Sequence, residues 1–175
     1  EHDESVGSVS ITLYGDVHLM LMNEWIGEVL QNKGNDIYRM KGVLSITHAE
    51  EKFVYQAVHM IFNGSFDEPW AEDEPRMSKL VFIGKNLDHE GLKKAFAACQ
   101  VTPELLEKKQ KMLRFQVGDK VKCNTGNGWQ AGEVVALMYR DEYMPPGMVA
   151  PYQVQIDGGN LIYAPADTDD LVRKA

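Results

Sequence analysis

Tyr38-Arg39-Met40-Lys41-Gly42-Val43-Leu44-Ser45-Ile46 decides how the chain folds. β-branched, aromatic and long apolar residues with no proline make it a strand. Alternation puts Tyr38, Met40, Leu44 and Ile46 on one face, the core face. Arg39, Lys41, Val43 and Ser45 take the other. Two cations on an otherwise apolar strand need a partner for that outer face: water, an acidic surface or another domain.

The elements on either side extend the sheet. Phe53 to Phe62 reads as a second strand, joined to the first by a turn over 47–52, so that 37–62 forms a long hairpin ended by Asn63-Gly64. Residues 5–14 alternate strictly, with Val9, Ile11 and Leu13 inward. Leu21, Trp25 and Val29, beside Met22, Ile26 and Leu30, predict a helix over 17–32. Asp16 is its expected N-cap and Gly34 its expected left-handed terminator. Residues 65–77 read as an acidic loop containing Trp70, and 79–85 as a strand. Asp88 caps a helix carrying Leu92, Phe96 and Cys99. The order β-α-β-β-β-α predicts an α+β domain over 1–100, a mostly antiparallel sheet with helices on one face.

Thr102-Pro103-Glu104 opens a charged linker helix over 101–113. From 114 to 175 the period is that of strands. Gly126-Asn127-Gly128 and Asp157-Gly158-Gly159 mark turns, and Gly132 marks a candidate bulge. Five short strands at this spacing predict a small β-barrel.

With 175 residues, 44% of them hydrophobic, the chain can bury a core. A formal net charge of −8 argues against nucleic acid or an anionic membrane as partner. No apolar run approaches the roughly 20 residues of a membrane span. The chain opens at Glu1 without a Met, which reads as a fragment or a processed product. Cys99 and Cys123 lack any Cys-x-x-Cys partner and read as reduced, partly buried thiols.

Several pieces together resemble a known unit. They are Ser-Val-Gly-Ser-Val-Ser-Ile at 5–11, Arg39-Met40-Lys41-Gly42-Val43-Leu44, Gln56-Ala57-Val58-His59, and Arg76-Met77-Ser78 running through Val81-Phe82-Ile83-Gly84-Lys85-Asn86-Leu87. In this order, over about 5–99, they resemble the C-terminal domain of CobW-type P-loop GTPases. These are metal chaperones that include cobalamin-biosynthesis and zinc-transfer members. The resemblance implies a non-catalytic module of a GTP-dependent zinc or cobalt chaperone, with a role in zinc homeostasis. Its partners would be the parent's GTPase domain, a client metalloprotein or a second copy of itself. GTP and Zn or Co are implied only for a full-length parent, and the implied compartment is cytoplasmic, or a plastid if a targeting segment was removed. This chain has no Gly-x-x-x-x-Gly-Lys-(Ser/Thr) loop and no Cys-x-Cys-Cys motif. Residues 115–173 resemble an SH3-like or Tudor-like barrel, a likeness of fold more than of function.

No Ser/His/Asp or Cys/His constellation assembles, so the chain is expected to have no catalytic site. His2, beside Asp3 and Glu4, is the one candidate metal ligand. The candidate interaction residues are Arg39, Lys41 and His59 on the sheet, with Trp70 in the acidic loop. The loop itself, 67–74, is a candidate partner for Arg39 and Lys41. In the second half Trp129, Tyr139 and Tyr152 are open to two readings, filling a small core or contributing to an aromatic cage. Met144 and Met148 sit in a Pro/Gly/Met loop suited to docking. The alternative function is accordingly a peptide-binding interaction protein without metallochaperone activity.

Overall fold

A computed structural model describes residues 5–59 and 61–175. The chain divides into two compact units, one running to Val101 and the other Thr102–Ala175.

The first unit contains β1 (Gly7–Tyr14), α1 (Leu19–Lys33), β2 (Ile37–Leu44), β3 (Glu51–Val58), β4 (Ile61–Pro69), β5 (Met77–Gly84) and α2 (His89–Ala97). Its sheet has the order β1-β5-β2-β3-β4 and every ladder is antiparallel. Met40 and Leu44 of β2, Tyr55 of β3, Leu80 and Phe82 of β5 and Val9 and Ile11 of β1 are buried in one cluster with Met22, Ile26 and Leu30 of α1 and Leu92 and Phe96 of α2. Burying side chains of this size contributes about 1.5–3 kcal/mol each, so this face holds the unit together. Trp25 stacks on Phe96 at 5.9 Å and meets the edge of Phe82 at 6.1 Å. All the helical packing falls on that one face.

The structure departs from the sequence reading in several places. The expected strand Phe53–Phe62 breaks at His59, which occupies a turn with φ 55° and donates its N–H to Tyr38 O at 3.1 Å. Part of the expected acidic loop is strand β4, paired with β3 from Val58↔Ile61 to Glu51↔Pro69. Asn63-Gly64 is therefore mid-strand. A Cβ on Gly64 would lie 2.7 Å from the Tyr55 ring, so glycine here admits an aromatic ring.

Asp16 does not cap α1. His18 holds the N-cap position without a side-chain cap bond, and Gly34 is right-handed at φ −60°. The Asp16 carboxylate instead accepts from Ser45 Oγ at 2.5 Å and Arg76 Nε at 3.1 Å. Arg76 also donates to Ile46 O at 2.9 Å, and Ser45 N donates to Ser78 Oγ at 2.9 Å. This polar knot satisfies the backbone where β2 ends, and it keeps Ser45 buried instead of outward-facing. Asp88 does cap α2, accepting from Gly91 N at 3.0 Å.

The second unit holds α3 (Pro103–Met112), β6 (Lys120–Asn124), β7 (Trp129–Tyr139), β8 (Ala150–Ile156), β9 (Leu161–Ala164) and β10 (Val172–Lys174). Thr102 caps α3, accepting from Leu105 N at 3.1 Å. The sheet order is β10-β6-β7-β8-β9. Phe115, Val121, Cys123, Val134, Tyr152, Val154 and Val172 form its core. The expected closed barrel is not what the ladders make. β9 pairs with β8 and β10 with β6, leaving those two short strands as the sheet's edges. Four-residue and three-residue strands offer few groups for a closing ladder. Arg114 ties the unit's start to the turn before β10. It donates to Asp167 at 2.7 Å, Asp169 at 2.5 Å and Val172 O at 3.1 Å. The bulge in β7 falls between Val134 and Ala136, not at Gly132.

Candidate functional site

With the helices on one face of the first unit's sheet, its other face is open. Register fixes what that face displays. One row across β5, β2 and β3 reads Ile83, Arg39, Val58; the next Val81, Lys41, Gln56; the next Lys79, Val43, Val54. Arg39, Lys41, Gln56 and Lys79 are exposed, as are Val58 at 52% and Ile83 at 37%. The face forms a concavity of about 920 Å³. Among the described residues no carboxylate pairs with Arg39, Lys41 or Lys79.

The acidic stretch 67–74, which begins inside β4, is not their partner among the described residues. Lys52 takes Glu68 and Glu74, each at 3.0 Å, and closes one end of the concavity. Trp70 sits beside this pair, its ring 5.3 Å from Lys52 Nζ and 5.7 Å from the Arg76 guanidinium. Its buried Nε1 has no hydrogen-bond partner among the described residues. The Glu68 hydrogen bond, then that of Glu74, raises the Lys52 pKa. The Ala71 N–H and then Lys52 lower that of Glu74.

These shifts set a pH window. The Glu74 contribution is complete above its unfolded value and is lost as pH falls through the depressed folded one; the Lys52 contribution is complete below its unfolded value and is lost as pH rises through the raised folded one. Acidification from about pH 7 to about pH 3 should therefore loosen this rim. We expect Trp70 fluorescence to change over that range, measured as the difference from Trp70→Phe, and Glu74→Gln to show the acid-like signal already at neutral pH. A flat Trp70 signal would mean that the Lys52–Glu74 pair does not hold Trp70 in place.

The remaining sequence candidates disperse. His59 is exposed in its turn, its ring 6.5 Å from Tyr38. His2 lies outside the described residues. Tyr152 is 0% exposed and accepts from Phe115 N through its hydroxyl at 3.2 Å; burial pushes its pKa up to about 12. It is core, not a binding ring. Met144 is 6% exposed, and its sulfur accepts from Asp141 N at 3.3 Å, so it braces its own loop instead of docking outward. Met148 is half-buried. Trp129 lies 4.2 Å from the Arg173 guanidinium. Tyr139 and Tyr163 are 6.4 Å apart, and the Tyr139 hydroxyl donates to Asp141 at 2.9 Å.

Both cysteines are buried, and burial raises the Cys123 thiol pKa. Among the described residues no three His, Cys, Asp or Glu gather so as to hold a metal ion. No described helix is long and apolar enough to cross a membrane. Sequence reasoning did not single out Lys79, Val81 and Ile83 on β5, nor Gln56 and Val58 on β3, as residues of this face. The β5 signal was present, since strict alternation with buried Leu80 and Phe82 sends those three outward.

Comparison with known proteins places the first unit. The family described as cobalamin synthesis protein cobW C-terminal domain matches residues 6–100. The zinc chaperone YjiA of Escherichia coli is 26% identical over 97 residues, covering 55% of this chain and 30% of the relative. The zinc chaperone CobW of Pseudomonas aeruginosa is 35% identical over 69 residues, 39% of this chain and 18% of the relative. The crystal structure of Zn(II)-bound YjiA GTPase from Escherichia coli superposes with a TM-score of 0.52 at 26% identity, over 55% of this chain and 30% of that one. A Zn(II)-bound triple mutant of the same GTPase gives the same values. The chain thus spans less than a third of the length of these relatives. A match over more than half its residues, on the sheet and helices just described, places the chain in the cobalamin synthesis protein cobW C-terminal domain family.

Proposed function

We propose that the chain is the non-catalytic C-terminal module of a GTP-dependent zinc or cobalt chaperone, and that it works by contact. The observation that carries this is the family match over residues 6–100, on a sheet that keeps one whole face for something other than its own helices. Arg39 and Lys41 on that face, with His59 and Trp70 at its margins, are the contact residues. They meet the parent's GTPase domain, a client metalloprotein or a second copy of the module. Zinc is the favoured cargo, because the relatives are named zinc chaperones. The cytoplasm is the proposed compartment, with a plastid as alternative.

The test is GTP turnover and client binding by a family GTPase domain, with and without this chain joined to it. We expect the module to change at least one severalfold. No change in either would end the proposal.

The second unit supports an alternative reading as a barrel-like peptide-binding module. Its last strand lies beside its first, and Tyr139, Tyr163 and Asp141 cluster on its surface. A screen of methyl-lysine and proline-rich peptides tests that reading. Absence of binding at about 1 mM, weaker than about −4 kcal/mol, would discard it.

A further inference from the structure

The open face of the first unit's sheet combines two features that rarely stay uncovered together. It has an aliphatic column, Ile83 and Val81 on β5, with Val43 of β2 diagonal to Val81 and opposite Lys79. Beside it runs a cationic column, Arg39 and Lys41 on β2, with Lys79 completing the cluster diagonally. These three cations have no carboxylate partner among the described residues, and they stand on a chain of net charge −8. Nearby carboxylates were available, yet Glu68 and Glu74 are engaged by Lys52. The positive face is therefore a local reversal of the molecule's overall charge, and such a reversal steers and orients an acidic partner.

We propose that this face receives an acidic amphipathic helix from a partner protein. The inference rests on the reading of the face as a contact surface and adds the chemistry of what it contacts. A helix is the element that covers a sheet face, because the sheet's backbone groups are already paired and only side chains remain to be met. At about 10 Å across, a helix spans about two strand spacings, enough for one aliphatic and one cationic column. Arg39 and Lys41 are two residues apart on a strand, about 6.6 Å. Carboxylates at i and i+4 on a helix lie about 6 Å apart, so two acids on one flank meet the two cations in step. The apolar stripe then lies on Val81, Ile83 and Val43.

Other occupants fit less well. A second copy placed face to face, with the two-fold axis through the cationic column, would set Arg39 and Lys41 against the same cations of its partner. Nucleic acid carries a charge on every phosphate, so its backbone would run onto the carboxylates of Asp67, Glu68 and Glu74 at the rim, and the aromatic ring among the lining residues, Trp70, is already held against Lys52 and Arg76.

The probe is a fluorescent peptide of about 15 residues, with leucines on one helical stripe and glutamates flanking it; a lysine-flanked version and a short single-stranded DNA are the comparators. Anisotropy should show the glutamate peptide binding the whole chain at least tenfold more tightly than the lysine peptide, and weakening as salt rises. Arg39→Glu with Lys41→Glu should cost the glutamate peptide at least tenfold and turn preference toward the lysine peptide. Lys122→Glu, an exposed cation of the second unit, should change nothing. The comparison of peptide charge on the unaltered chain does not depend on any variant folding. Equal binding of both peptides, tighter binding of DNA, or a doubled mass in solution with the peptides excluded would each overturn the proposal. So would absence of binding at about 1 mM. Peptide binding by a chain that changes neither GTP turnover nor client binding of a joined family GTPase domain would leave this inference standing and remove the chaperone reading instead.

Discussion

Replacing Phe82 by alanine is expected to lower the stability of the first unit by about 3–5 kcal/mol. The ring is 0% exposed and belongs to β5, which has β1 on one side and β2 on the other. It pairs across the ladders with Val9 and Met40, and its surface meets Trp25, which in turn stacks on Phe96. Strands hydrogen-bonded on both sides cannot close over the void, so the cavity term adds to the lost transfer energy. Against a total of about 5–15 kcal/mol, the variant unit stands close to unfolding. The next residue supplies the contrast. Ile83 points to the open face, and Ile83→Ala should cost about 1 kcal/mol or less. Urea unfolding of the two variants measures both. If Phe82→Ala costs no more than Ile83→Ala, the assignment of core and open faces is wrong.

That contrast also shows what the sequence made legible. Alternation along β1, β2 and β5 places each residue on its face, because a two-residue period leaves no freedom once one face is buried. The family pattern was equally readable, though its residues do different work from what their polarity suggests. Arg76 and Ser78 look like binding residues in a motif; in the fold they close the end of β2 on Ser45, Ile46 and Asp16. Arg39 and Lys41 belong to the same pattern and have no such internal duty. A one-dimensional pattern cannot separate these cases, because it does not show which cation finds a carboxylate.

The misread elements have a common cause. Asn63-Gly64 and the acids after it carry the composition of a loop, but β4 is an edge strand, where polar side chains meet water on both sides. Its place is set by β3 and by the rings of Phe53 and Tyr55, which lie beyond the reach of local pattern. Asp16 was misplaced for a related reason. It precedes a helix, as a cap would, but an arginine 60 residues away makes a better partner for its carboxylate than a helix N–H. In the second unit, turn spacing located the strands yet could not say whether their ladders close.

Gly132→Ala is expected to destabilise the second unit by about 2–3 kcal/mol, although glycine is ordinarily a poor strand residue and alanine would be the better one. The position lies inside β7, opposite Val121 of β6 and Ile156 of β8, where neither neighbour can move away without breaking a ladder. A Cβ there would stand 2.5 Å from the carbonyl oxygen of Gln155 and 2.8 Å from a methyl of Val154. The first contact is with backbone, so no rotamer change relieves it. Relief requires β7 and β8 to separate at a point where Val154, Ile156 and Val121 pack the core. The gain from replacing glycine, about 0.5–1 kcal/mol, is smaller than this overpacking cost. Ala131→Val, one residue earlier on the exposed side, should be neutral or slightly favourable, since β-branched residues suit a strand surface. Thermal unfolding of both variants decides the matter. A Gly132→Ala protein as stable as Ala131→Val would mean that the close approach of β8 does not constrain this strand, and that the glycine would have to be explained by flexibility after all.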